Sequence, residues 1–276
     1  MNSLAIGSRS FAWGRRTYLM GVINVSPDSF SGDGLAGVEA AVAQARRFVE
    51  EGADLLDVGG QSTRPGFEEL SPEEEIARVV PVIERLAAEL GVPVSVDTYK
   101  APVARAALEA GAHLLNDIWG FRCDRALAEL CAEFGVPAVV MHNQRGRELH
   151  DVIGDIRAGL EASTAIAQEA RLPRDRLIVD PGFGFGWTSE QSLEILRRLG
   201  ELRDLELPIL IGTSRKSAIG AVLGGAPIEE RLLGTAATVT LAIANGADIV
   251  RVHDVAAMRD VVRVADAVVR GWSELS

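Results

Sequence analysis

The residues of this chain that can do chemistry stand at regular stations, each at the end of a short apolar run. The eight stations are Asn24-Val25-Ser26, Gly59-Gly60-Gln61-Ser62-Thr63-Arg64, Asp97-Thr98, Asn116-Asp117, His142-Asn143, Asp180-Pro181-Gly182, Thr213-Ser214-Arg215-Lys216 and Arg251-Val252-His253-Asp254. A strand buried on both faces is near-continuously apolar, so core packing gives no reason for polar groups at one end of every run. Asp97, Asn116 and Asp180 suit an amino-pyrimidinone ring. A carboxylate accepts from adjacent ring N–H and amino groups, and an amide offers both a donor and an acceptor. The same residue types also fit a general-base pair, divalent-metal ligands, or buried acids paired with arginine or lysine. Residues 212–217 (GTSRKS) and Arg251-Val252-His253 bring three cations, Arg215, Lys216 and Arg251, towards Asn24, Thr63 and Arg64. That composition can hold an anion with the charge of a pyrophosphate. The alternative for Arg251 is an internal salt bridge to a strand-tip acid such as Asp97 or Asp180. GTSRKS lacks the glycine spacing of a P-loop, no Gly-x-Ser-x-Gly elbow is present, and the four histidines are scattered without zinc spacing.

The elements that must position these groups alternate between apolar runs and helical periodicity. Residues 3–17 read as a β-hairpin capping the bottom of a barrel, followed by strand 18–25 and helix 37–51. The repeat continues as strand 55–58; strand 94–97, helix 102–110; strand 114–118, helix 125–134; strand 138–141, helix 151–170. It ends as strand 177–179, helix 190–198; strand 209–211, helix 228–245; and strand 249–252, helix 256–272. Ser71-Pro72-Glu73-Glu74 opens the helix after the second strand, with a capping serine, proline at the first position and acids in the first turn. Gly52, Gly91, Gly111, Gly135 and Gly246 follow helices, where a left-handed C-cap favours glycine. Strict β–α alternation with short links predicts parallel strands. Eight units of this kind predict a single (β/α)8 TIM barrel over residues 1–276, with the strand tips on its catalytic face. An open doubly wound sheet is the alternative.

Three links are longer than the fold needs: 26–34, which carries a lone Phe30, 61–70, and 145–150. An apolar ring within a polar loop suggests something to close over.

The net charge of −11 at pH 7 argues against a nucleic-acid partner. No apolar stretch approaches the ~20 residues of a membrane span, and no secretory leader is recognisable, so a cytoplasmic location is expected. Cys123 and Cys131 fall in one predicted helix about 12 Å apart, too far for a disulfide.

The motifs resemble, in order, those of the dihydropteroate synthase family. Met20-Gly21-Val22-Ile23-Asn24-Val25-Ser26-Pro27-Asp28-Ser29-Phe30-Ser31 is similar to its first signature, and Asp57-Val58-Gly59-Gly60-Gln61-Ser62-Thr63-Arg64-Pro65-Gly66 to its second. Ser95-Val96-Asp97-Thr98, Asn116-Asp117-Ile118, Asp180-Pro181-Gly182-Phe183-Gly184-Phe185, residues 212–217 and Arg251-Val252-His253-Asp254 continue the match. The resemblance implies a transferase of folate biosynthesis, a sulfonamide target, that condenses 6-hydroxymethyl-7,8-dihydropterin pyrophosphate with p-aminobenzoate. It implies Mg²⁺ as cofactor and a homodimer. Asp97, Asn116, Asp180, Lys216 and Arg251 would hold the pterin. Asn24, Thr63, Arg64, Arg251 and His253 would take the pyrophosphate, with Asn24 contacting the metal. Phe30, Thr63, Arg64, Pro65, Phe185 and Ser217 would receive p-aminobenzoate. Lys216, Arg251, Asn24 and Arg64 would carry catalysis.

The pattern departs in four places. Gln61 replaces a glutamate, Asp33 stands one position late, Trp187 replaces a lysine, and His142-Asn143-Gln144 replaces Met-His-Met. Two other readings share the barrel: a methyltetrahydrofolate-type methyltransferase and a catalytically silent pterin-binding paralogue. The complete second motif and Arg215-Lys216 weigh against the first, and intact Asn24, Arg64, Lys216 and Arg251 against the second.

Overall fold

The computed structural model describes residues 3–25, 34–61 and 69–272. Ten strands and nine α-helices are described: β1 (Ser3–Ile6), β2 (Arg9–Ala12), β3 (Tyr18–Asn24), α1 (Gly34–Glu51), β4 (Leu55–Gly59), α2 (Pro72–Glu89), β5 (Val94–Asp97), α3 (Ala101–Glu109), β6 (Leu114–Asp117), α4 (Ala126–Phe134), β7 (Ala138–Met141), α5 (Val152–Glu169), β8 (Leu177–Asp180), α6 (Ser189–Arg198), β9 (Leu210–Ile211), α7 (Ser217–Val222), α8 (Leu232–Ala244), β10 (Ile249–Val252) and α9 (Val255–Arg270). The eight longer-range strands pair in parallel in the order β8-β7-β6-β5-β4-β3-β10-β9. An isolated parallel bridge, Val179 to Ile209, joins the two outer strands and rounds the sheet into a barrel.

The barrel bottom is plugged by the hairpin. Leu4, Ile6, Phe11 and Trp13 form one buried cluster with Tyr18, Met20, Leu55, Leu114, Val139, Ile178, Leu210 and Ile249, which lie towards the starts of the barrel strands. Phe11 packs on Tyr18 at 4.7 Å and on Trp13 at 5.9 Å between ring centroids. A clasp ties this end to the last helix. Asp266 on α9 accepts from Thr17 N–H at 2.6 Å and Thr17 Oγ1 at 2.8 Å, while Arg270 binds Asp266 and the Gly14 carbonyl. Interior space at this end is therefore filled, and the polar strand tips open at the other.

Several expectations need correction. The helix expected over 228–245 starts at Leu232, after a single 3-10 turn over Ile228–Glu230. The short α7 was not anticipated. Gly91 is not a left-handed cap, because α2 ends at Leu90 in an extended conformation. Cys123 precedes α4, so only Cys131 is helical; both thiols are free. The Ser71 cap is as expected: its side chain accepts from Glu74 N–H, and Glu74 returns the bond to Ser71 N–H.

Phe11 is buried to 1% exposure at the centre of the plug. Phe11→Ala should cost about 3–5 kcal/mol of stability, read as a shift of the urea midpoint. An unchanged midpoint would show that the hairpin is not part of the core.

Candidate active site

Parallel pairing places the strand ends level, so the tips of β4, β5 and β6 deliver acids and an amide into one cleft. Gly59 pairs with Asp97, and Asp97 with Asn116. The cleft opens to solvent, holds an inner cavity of about 50 Å³, and is lined by Asp97, Asn116, Ile118, Met141, Asp180, Phe183, Phe185, Gly212, Ser214, Lys216, Arg251 and His253. Seven residues expected at the site from sequence thus share one cavity: Asp97, Asn116, Asp180, Phe185, Lys216, Arg251 and His253.

Arg251 bridges this group. Its Nε donates to Asp57 Oδ2 at 2.6 Å and its Nη2 to Asp97 Oδ2 at 2.8 Å. Asn116 Nδ2 donates to the same Asp57 oxygen at 2.9 Å. The salt bridge raised as an alternative for Arg251 therefore exists, with Asp57 added and without a direct bond to Asp180. Asp57 is the residue that sequence reasoning missed. Its signal was a carboxylate within the apolar run Leu55–Gly59, where it is fully buried.

Electrostatics in the cleft are strained. Burial lifts Asp97 to about 7, against the opposing pull of Arg251 and with help from Asp57. Burial likewise lifts Asp180 to about 6, although Gly182 N–H donates to its Oδ1 at 2.7 Å. Burial pulls Lys216 down to about 8, opposed by Asp180. Burial also works against the Arg251 charge, but Asp57 and Asp97 outweigh it and leave its pKa raised. Lys216 Nζ donates to the Phe183 carbonyl at 3.0 Å and lies 4.0 Å from the centroid of the Phe185 ring. The Arg145 guanidinium approaches the same ring at 5.0 Å.

Not all three cations converge. Arg215 turns from the cleft and pairs with Asp254 at 2.5 and 3.0 Å, from a backbone φ of 62°. His253 Nδ1 and N–H both meet Ser214 Oγ, at 3.0 and 3.2 Å. Asn24 ends β3 with its side chain exposed. Phe185 is half-buried at the cleft, and Ser217 is exposed at the start of α7. Phe30, Asp33, Thr63, Arg64 and Pro65 lie outside the described residues.

The β7 tip, left without a role by sequence, is structural. His142 is buried, with its pKa pushed down to about 4 by burial, and its Nε2 meets Gln144 Oε1 at 2.8 Å. Gln144 N–H donates to Phe185 O and its side chain to Glu148 O, while Asn143 reaches Ile118 O at 3.3 Å. Trp187 lies 5.7 Å from the His142 ring between centroids. This tip presses against the loop after β8. A Cβ on Gly182, at φ 76°, would fall 1.9 Å from the His142 carbonyl oxygen, so only glycine fits.

Residues 20–253 match the family described as Pterin binding enzyme. The chain is 46% identical over 269 residues to the dihydropteroate synthase of Clostridium beijerinckii, covering 97% of this chain and 100% of that protein. The chain belongs to the dihydropteroate synthase family. Solved members of this family superpose closely. The Clostridium difficile synthase, crystallised in the presence of pteroic acid, has a TM-score of 0.91 at 45% identity, covering 94% of this chain and 99% of that one. The Xanthomonas albilineans synthase, crystallised with 4-aminobenzoic acid, gives 0.91 at 43% identity, covering 96% and 97%. Family membership accounts for the order of the motifs. The pairings of Arg251 and Arg215 come from the geometry.

Asp57 raises the Asp97 pKa and also competes for Arg251. Asp57→Asn should therefore move the Asp97 titration midpoint down from about 7, followed by the carboxyl carbon shift. A midpoint that stays in place would contradict the coupling.

Proposed function

We propose that this chain condenses 6-hydroxymethyl-7,8-dihydropterin pyrophosphate with p-aminobenzoate, giving 7,8-dihydropteroate and pyrophosphate in folate biosynthesis. The observation that carries the reading is the meeting of Asp97, Asn116, Asp180 and Lys216 in one cleft, with Arg251 and His253 beside them. The acids accept from the amino and ring N–H edge of the pterin, Asn116 donates and accepts, and Lys216 donates to ring oxygen or nitrogen. Arg251 lies along the ring and, with His253, Asn24, Thr63 and Arg64, holds the pyrophosphate.

No strong base or nucleophile is required. The bond from the exocyclic methylene to the pyrophosphate oxygen breaks, and its electron pair leaves with the pyrophosphate. The resulting cation is delocalised into the pterin ring. The neutral amine of p-aminobenzoate then gives its lone pair to the methylene and loses a proton. Lys216 and Arg251 stabilise the departing charge, and fixed donors and acceptors hold the reacting carbon in place. Water must be kept from the cation, and the half-buried Phe185 serves as one apolar wall. Phe30, Thr63, Arg64, Pro65 and Ser217 complete the p-aminobenzoate pocket.

Among the described residues no three His, Cys, Asp or Glu side chains are grouped to cage a metal. That fits Mg²⁺, which is commonly bound through one or two protein oxygens plus substrate phosphates and water. Asn24, exposed at the end of β3, is its protein ligand in this reading. When bound, the ion would neutralise charge on the leaving pyrophosphate.

A homodimer is part of the reading. The adjacent helices α8 and α9 leave Leu233, Leu241, Val264, Val268 and, just beyond α9, Trp272 exposed, an apolar face suited to a second copy. The whole chain acts as one pterin-binding unit. No described helix is long and apolar enough to cross a membrane, which fits a cytoplasmic folate enzyme.

The decisive assay is pyrophosphate release from the two substrates with Mg²⁺, with sulfonamides competing against p-aminobenzoate. Pterin binding without pyrophosphate release when p-aminobenzoate is present would overturn the reading. The pH profile is a second test, since kcat/KM reports groups of the free enzyme. Asp180 and Asp97, at about 6 and 7, must lose protons to accept from the pterin, so the rate rises through that range. Lys216, at about 8, must keep its proton, so the rate falls above it. Lys216→Ala should lower turnover at least tenfold and abolish the alkaline limb. A retained limb would assign it to another group.

A further inference from the structure

Beside the cleft, outside the residues given a role above, lies a second buried polar group at the foot of the 62–68 segment. Lys100, three residues past Asp97, points back towards the end of β4. Its ammonium donates to Gln61 Oε1 at 2.7 Å, to the Leu70 carbonyl at 2.7 Å and to Glu75 Oε2 at 2.9 Å. A lysine has three donors, and all three are used. The pair is deeply buried, with side-chain exposures of 10% for Lys100 and 2% for Glu75. Gln61 completes the junction: its Oε1 also accepts from Leu70 N–H at 3.0 Å, and its Nε2 donates to Tyr99 Oη at 2.9 Å. Tyr99 in turn donates to Glu69 at 2.8 Å.

The residues flanking the segment on either side, Gln61 and Leu70, are therefore fastened to each other and to the β5 tip. The glutamine that departs from the family pattern is used on both of its polar atoms. A carboxylate at 61 would keep an acceptor for Lys100 but lose the donor to Tyr99.

We propose that Lys100 is a positioning residue for the second substrate, governing p-aminobenzoate use by fixing both ends of the 62–68 segment relative to Asp97. It touches neither substrate. A buried ammonium with every donor matched is a rigid anchor, and substrate-holding groups depend on such support. The inference rests on the reading that Thr63, Arg64 and Pro65 serve p-aminobenzoate.

The test uses the full chain with Lys100→Met, which keeps an unbranched chain as far as Cε and removes all three donors. The KM for p-aminobenzoate should rise at least fivefold, with the KM for the pterin pyrophosphate within twofold of the parent. An equal rise in both KM values would show a merely structural role and overturn the proposal. Gln61→Met keeps the Lys100–Glu75 pair and should shift the same KM in the same direction by a smaller factor; it serves if Lys100→Met does not fold. Arg64→Ala separates the two claims. A p-aminobenzoate KM raised by Arg64→Ala but not by Lys100→Met or Gln61→Met overturns the role of Lys100 alone. No rise in any variant overturns the reading of the segment and the role of Lys100 with it.

Discussion

Arg251 brings its charge into the barrel from the last strand, and Asp57 and Asp97 meet it at 2.6 and 2.8 Å. Much of the upper barrel is constrained by that encounter. The guanidinium side chain is 22% exposed and the Asp57 side chain not at all, so each depends on the other to offset lost hydration. Removing one partner from a buried pair of this kind costs about 3–5 kcal/mol. Asn116 shares the Asp57 oxygen, so the amide and the guanidinium fix one another's positions. Bonds from β10 to β4 and β5, and from β6 to β4, thus link four strands across the interior. Asp97 and Asp180 line the cleft, with Asp57 buried behind them, so three carboxylates stand against Lys216 and Arg251. The surplus acid helps explain why Asp97 gives up its proton late. A ligand edge rich in N–H donors is the natural complement.

The two halves of the site are built differently. The groups expected to hold the pterin come from strand ends inside a closed, plugged barrel, where neighbours leave them little freedom. Those expected to hold p-aminobenzoate come from links between elements and, for Ser217, from the first residue of α7. Rigidity at the β8 side is secured by packing: Gly182 lies against the β7 backbone, and Gln144 binds the Phe185 carbonyl. His142 and Gln144 support that contact with a neutral buried imidazole. Trp187 packs on the same imidazole.

Sequence was most informative where the physics is local. Most helix periods and the Ser71 cap depend on neighbours a few residues away, and they appear near their expected places. The eight tips shared one end because parallel alternation permits little else. The partner of Arg251 was harder, because Asp57 stands 194 positions away and meets it only after the barrel closes. Asp57 also sits mid-strand, where a reading focused on tips passes over it. Arg215 misled for a different reason: its left-handed backbone turns it towards Asp254, away from the cleft, and adjacency to Lys216 gives no hint of that. The short α7 follows no periodicity long enough to register.

The clasp between Thr17 and Asp266 spans 249 positions, and β3 pairs directly with β10. During synthesis, the first barrel strand emerges long before its partner exists. Until β10 leaves the ribosome, one edge of β3 has no strand to bond, and unpaired edges invite association with other chains. Closing so long a loop is also slow. The barrel cannot close, nor its hairpin plug be fully buried, until Leu210 and Ile249 have been made.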